Sequence, residues 1–232
     1  MKVADHFFRF PHTPHIAWLG EGAPRDDKVL APDEVATLLS GPVVVEEKLD
    51  GANLGFSIDP EGRLRAQNRG QYLIEPHTGQ FQRLPEWMAL HGAGLVGALG
   101  KELIAFGEWC AARHSLDYPA LPDWWLLFDV YDRREGRFWS TRRRNELAAA
   151  LGVASVPRLA EGRKTVATLV DGVERWKSRY RKGGLEGVVV RRDDDDWLQA
   201  RGKLVRADFT QAIEGHWRSR KLEWNRVRWH GE

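Results

Sequence analysis

Hydrophobic and polar positions change period along the chain, and the changes mark out its elements. Val43, Val44 and Val45 form a β-branched run typical of a buried strand, leading into Glu46-Glu47-Lys48-Leu49-Asp50-Gly51, a turn closed by glycine. Leu54, Phe56 and Ile58 alternate with period two, Pro60-Glu61-Gly62 turns the chain, and residues 64–68 return as a hairpin partner. Residues 103–107 and 124–131 predict two more strands, and residues 188–190 and 197–205 a last pair turning at 193–196. Helical spacing predicts residues 32–39, with proline near the start and Gly41 just past the end. It also predicts 84–99, where Gly92 and Gly94 weaken the pattern, 141–151, stopped by Gly152, and 165–180.

Strand hairpins interrupted by helices, with no βαβ alternation, predict an α+β fold built on antiparallel sheets flanked by helices. No internal repeat, linker or composition break divides the chain, so residues 1–232 read as one domain. Residues 1–42 form its leading segment, irregular over 1–27, and residues 210–232 a basic-aromatic tail. Only about two dozen residues follow Phe209, too few for the five-stranded barrel of an OB-fold.

Composition removes several function classes. No apolar run approaches the roughly 20 residues of a membrane span, and the N-terminus lacks a signal-peptide core. The single cysteine, Cys110, excludes an internal disulfide framework and makes the cytoplasm the expected compartment. His6, His12, His15 and His77 have no zinc spacing, and Gly183-Gly184 fits no phosphate loop. The four aspartates at 193–196 read as a solvated hairpin turn. A net charge of +2 does not announce a nucleic-acid binder, but its distribution says more. Arg142-Arg143-Arg144 and the Arg179–Lys182 run read as solvated faces. In the tail, Trp217, Trp224 and Trp229 interleave with Arg218, Arg220, Lys221, Arg226 and Arg228, which suits phosphate contact with base stacking.

The candidate chemistry centres on Lys48. A lysine at a strand mouth, ringed by Glu46, Glu47 and Asp50, becomes a nucleophile only if its ammonium loses a proton. Five further segments follow in order: Gln67-Asn68-Arg69-Gly70, Phe106-Gly107-Glu108-Trp109, Leu127-Phe128-Asp129-Val130-Tyr131, Leu185-Glu186-Gly187-Val188-Val189-Val190 and Arg201-Gly202-Lys203-Leu204-Val205-Arg206. Together, from Val43 to Phe209, they resemble the covalent nucleotidyltransferase superfamily of ligases and capping enzymes. The set looks most like the ATP-dependent RNA ligases, reduced to the catalytic domain.

The resemblance implies a role for each residue. Lys48 would attack the α-phosphate of ATP and hold AMP as a phosphoramide. Asp50 would contact the ribose or the reacting ends, and Arg69 the nucleotide or the RNA end. Glu108 would hydrogen-bond the ribose, Phe128 would stack on adenine, and Lys203 would contact the α-phosphate. Glu186 would place a divalent metal, Mg²⁺ or Mn²⁺, with Glu108 beside it, directly or through water. Adenine reading falls to Glu46 or Glu47, and a second cation to Arg201 or Arg206. Lys203, Arg206 and the metal would together lower the pKa of Lys48. With no OB-fold, the tail residues Arg218, Arg220 and Lys221 are expected to grip RNA, whose broken or nicked ends a separate end-healing kinase or phosphatase would prepare. A DNA ligase, a GTP-using capping enzyme and a non-catalytic RNA-end binder are the competing readings.

Overall fold

The computed structural model describes residues 6–21, 28–212 and 222–228. In chain order the elements are α1 (Pro32–Leu38), β1 (Val43–Lys48), β2 (Ala52–Ile58), β3 (Leu64–Gln67), a 3-10 turn (Gly79–Phe81), α2 (Leu84–Leu99), β4 (Leu103–Trp109), β5 (Trp125–Asp132) and β6 (Arg137–Phe138). They continue with α3 (Thr141–Leu151), β7 (Arg158–Gly162), α4 (Val166–Arg175), β8 (Gly187–Asp193), β9 (Leu198–Val205) and α5 (Ala207–Ala212). No helix among the described residues is long and apolar enough to cross a membrane.

The strands form two antiparallel sheets, as the α+β reading expects. One has the order β7-β1-β8-β9, the other β3-β2-β4-β5-β6. Under the first sheet, Val43, Val45, Val188, Val190 and Leu204 pack with Leu38 of α1 and with Leu169 and Val173 of α4. Under the second, Leu54, Phe56, Trp109, Trp125 and Leu127 pack with Leu84, Trp87 and Leu95 of α2 and Ala148 of α3. Each sheet therefore turns one face to its own helices, leaving the opposite faces to meet each other. Phe8 and Phe10 from the leading segment wedge into one end of that junction against Phe106, Phe128 and Phe138.

The local chemistry accounts for the helix ends. The Ser140 side chain accepts from the Arg143 amide and caps α3, and Gly152 ends it at φ 65°, in the left-handed region. Thr165 and Thr168 form a reciprocal cap at the start of α4. The sequence pattern overextends this helix: it ends at Arg175, because Trp176 is extended at ψ 145°. The Trp176 ring folds back over Gly172, where an added Cβ would stand 2.5 Å from it.

Candidate active site between the sheets

Lys48 is the last residue of β1, and Ala52 the first of β2. Leu49-Asp50-Gly51 thus carries the chain from one sheet to the other. Because Val43 and Val45 face α1 and α4, period-two alternation puts Glu46 and Lys48 on the face toward the second sheet. A cavity of about 430 Å³ lies there. Glu46, Lys48, Val189, Arg191, Arg201 and Lys203 line it from the first sheet, and Asn53, Glu108, Phe128 and Asp129 from the second. Phe10, His12 and Arg69 also reach it.

The Lys48 ammonium lies 2.5 Å from Glu186 Oε1, at the entrance to β8, and its side chain stays 27% exposed. Glu108 Oε1 accepts from the Gly51 amide at 3.1 Å. Burial pushes both Glu108 and Glu186 up to about 7, against the opposing pull of Lys48. Burial also pulls the Lys48 pKa down, but Glu186, Glu108 and Asp50 together outweigh it and hold the ammonium above the ordinary lysine value. This corrects the expectation of a lowered lysine pKa: in the protein alone, acids rather than cations surround the amine.

The structure distributes the other expected residues unevenly. Arg69, Glu108, Phe128, Arg201 and Lys203 share the cavity with Lys48. Asp50 is turned away from it, its Oδ2 accepting from the amides of Ser115 and Leu116 at 2.7 and 2.6 Å. Arg206 lies outside the lining and pairs with Asp208 at 2.9 Å. Of the two cations left open, Arg201 is therefore the one in the cavity. It is bonded to Asp129 and stacked between Phe10 and Phe138, 4.6 and 4.5 Å from the ring centres. Glu46 and Glu47 both border the cavity, and both are engaged. Arg144 grips Glu46 through two bonds of 2.5 and 3.0 Å, and Glu47 Oε2 accepts from the Arg179 amide at 2.9 Å. Arg218, Arg220 and Lys221 lie outside the described residues. Trp224, expected to face RNA, packs on the second sheet's core and under the Arg83 guanidinium.

A set of buried ion pairs was not foreseen. Asp129 of β5 binds Arg191 of β8 at 2.5 Å as well as Arg201 of β9. Arg144 of α3 joins Glu46 of β1 to the Phe128 carbonyl of β5. These bonds cross from sheet to sheet at the back of the cavity. Arg144, read as part of a solvated basic run, is fully buried. The signal was available: Thr141, Arg144 and Ala148 share one helical face.

The divalent ion implied by the resemblance can be tested against the donors present. Glu186 Oε2 is buried without a hydrogen-bond partner, and Glu108 and Glu186 both resist ionisation, so a cation between them would relieve both. No group of three or more His, Cys, Asp or Glu among the described residues could hold a metal ion. The donors fit Mg²⁺, which takes few protein ligands and shares its shell with water and phosphate.

Two antiparallel sheets closing over a lysine-bearing cleft define a nucleotidyltransferase-type fold. The RNA ligase family profile matches residues 41–205, and the chain belongs to that family. Among solved structures it is similar to the Naegleria gruberi RNA ligase with PPi, at a TM-score of 0.64 and 17% identity over 89% of this chain and 64% of that one. A variant of the same ligase with ATP and Mn gives a TM-score of 0.62 and 17% identity, over 79% of this chain and 55% of the other. The chain thus spans between about half and two thirds of the length of these structures. A comparison with curated proteins returns no significant match.

Proposed function

We propose that this protein is an ATP-dependent RNA ligase acting through a lysyl-AMP intermediate. The observation that carries the reading is the placement of Lys48, at the crossing between sheets, against Glu186 and inside a cavity of nucleotide size. In the first step, Lys48 Nζ attacks the α-phosphorus of ATP, an N–P bond forms, the P–O bond to the β-phosphate breaks, and pyrophosphate leaves. A 5′-phosphate oxygen of an RNA end then attacks the AMP phosphorus, the N–P bond to Lys48 breaks, and attack by a 3′-hydroxyl on that 5′-phosphate seals the strands as AMP leaves.

The residues around Lys48 have work suited to their chemistry. Lys203 and Arg69 neutralise phosphate oxygens, and Phe128 offers a π-face to the base on a rigid strand. Glu108, held in place by the Gly51 amide, would hydrogen-bond the ribose. Glu186, with Glu108, would hold Mg²⁺ or Mn²⁺, which supplies charge neutralisation on the phosphates when bound. Lys48 must still lose its proton, and its bond to Glu186 is the chief obstacle; any cation engaging Glu186 weakens that bond. The Naegleria structures solved with ATP and Mn and with PPi support the choice of nucleotide and ion. RNA gripping by Arg218, Arg220 and Lys221 belongs to the same proposal.

The test is incubation with ATP and Mg²⁺ followed by intact mass measurement. One added AMP is expected on the wild type and none on Lys48→Ala, with GTP ineffective. Label that persists on Lys48→Ala would overturn the assignment.

A further inference from the structure

Residues 222–228 lie as a strap across the loop formed by residues 110–121. The strap is hydrogen-bonded along its length: Arg113 N to Glu223 O at 2.8 Å, Asn225 N to Ala111 O at 2.9 Å, Arg226 N to Tyr118 O at 3.0 Å and Arg228 N to Leu121 O at 2.8 Å. At its centre the Asn225 side chain is buried and satisfied at both ends. Its Oδ1 accepts from the Tyr118 amide at 2.8 Å, and its Nδ2 donates to the carbonyls of Cys110 and Ala112 at 2.8 and 3.3 Å.

Tyr118 carries this anchorage to the reactive turn. Its hydroxyl accepts from the Asp50 amide at 2.9 Å, while the Asp50 carboxylate gathers the amides of Ser115 and Leu116. Between Asn225 and Asp50 there is therefore one residue, held by its backbone on one side and its phenol on the other. Asp50 stands two positions from Lys48. No helix or strand spans residues 113–117, and the backbone of that stretch is hydrogen-bonded to the strap at Arg113 and to the Asp50 carboxylate at Ser115 and Leu116.

We propose that Asn225 is a positioning residue for the turn that presents Lys48. The inference deepens the ligase reading and rests on it for its kinetic consequence. Glu186 fixes the lysine from the first sheet, and Glu108 fixes Gly51 from the second. The strap fixes Asp50 from the third side. Loosening it frees the turn without removing any side chain that lines the nucleotide cavity, since neither Asn225 nor Tyr118 is among them. A nucleophile displaced by about 1 Å loses on the order of a hundredfold in rate, so the reaction senses a shift that binding does not.

Asn225→Ala and Tyr118→Phe in the full chain test this. The first removes the amide's three bonds, and the second removes only the phenol oxygen and leaves the strap intact. For both variants, single-turnover AMP transfer at saturating ATP should fall about tenfold or more, with ATP affinity changed less than about twofold. Hydrogen exchange at the Ser115 and Leu116 amides should quicken about tenfold in both. Wild-type transfer and exchange in either folded variant would overturn the proposal. So would a loss of rate and ATP affinity that merely follows the melting temperature, the mark of a structural brace. Should Asn225→Ala fail to fold, Tyr118→Phe decides alone. A wild-type protein that takes up no AMP would instead overturn the ligase reading, and amide exchange would still decide the role of the strap.

Discussion

Replacing Glu186 by glutamine should lower the pKa of Lys48 by about one to two units, by removing the anion that holds the ammonium. The full Coulomb energy of unit charges at the observed 2.5 Å is about 7 kcal/mol at an effective dielectric of 20. That is an upper bound, because the lysine is still 27% exposed to water. Glutamine also keeps a carbonyl to accept the bond, and Glu108 and Asp50 stay nearby. What is lost is closer to a charge-assisted hydrogen bond, about 1.5–3 kcal/mol, which at 1.36 kcal/mol per unit gives the stated shift. Competitive acetylation of Lys48 against pH, read by peptide mass spectrometry in chelator without nucleotide, measures it directly. A midpoint in the glutamine variant equal to or above the wild type would refute the claim that Glu186 keeps the lysine protonated.

Two further outcomes follow from the buried charges. Arg144→Met should destabilise the protein by about 3–5 kcal/mol in chemical denaturation, because Glu46 is left buried and unpaired, and adding Glu46→Leu should recover most of the loss. Stability in chelator should decline as pH rises from about 4.5 to 7 and level off above that, measured as melting temperature. Glu108 and Glu186 are pushed up to about 7 in the fold, so the folded protein keeps protons that the unfolded chain has released, and that advantage disappears as they ionise. Rising stability over this range would show that the two carboxylates are not held against ionisation.

Most of the framework was legible because it is local. The β-branched run before Lys48, the alternation from Leu54 to Ile58 and the glycine stop at Gly152 are each written in a few neighbouring residues, and the elements formed where those signals stood. Strand β7 escaped notice because Arg158–Gly162 neither alternates nor carries β-branched residues; it is a strand because the edge of β1 offers it partners. The motif residues could be matched along the chain, and most of them do meet in one cavity. Their partners could not be read the same way. Arg144 meets Glu46 across 98 positions and Arg191 meets Asp129 across 62, and no local period encodes such pairs. Asp50 shows the same limit in reverse: its place in the turn was plain, but its hydrogen bonds to residues 115 and 116 depend on a loop with no pattern of its own.

The crossing of the chain at Leu49–Gly51 gives the two walls of the cavity different kinds of rigidity. Lys48, Glu186 and Lys203 sit on or beside three neighbouring strands of one sheet, where backbone pairing sets a pitch of roughly 4.8 Å per strand. Glu108 and Phe128 belong to the other sheet, whose distance from the first is set by side chains and a handful of buried ion pairs. Under the proposed ligase reading, a phosphate chain laid across Lys48 and Lys203 would thus be measured against a ruler that cannot stretch without breaking strands apart. The base, under the same reading, would be measured against a jaw that can loosen. Damage that slackens the packing between sheets, whether by heat or by an altered core residue, should therefore blur the choice of base before it weakens the hold on phosphate.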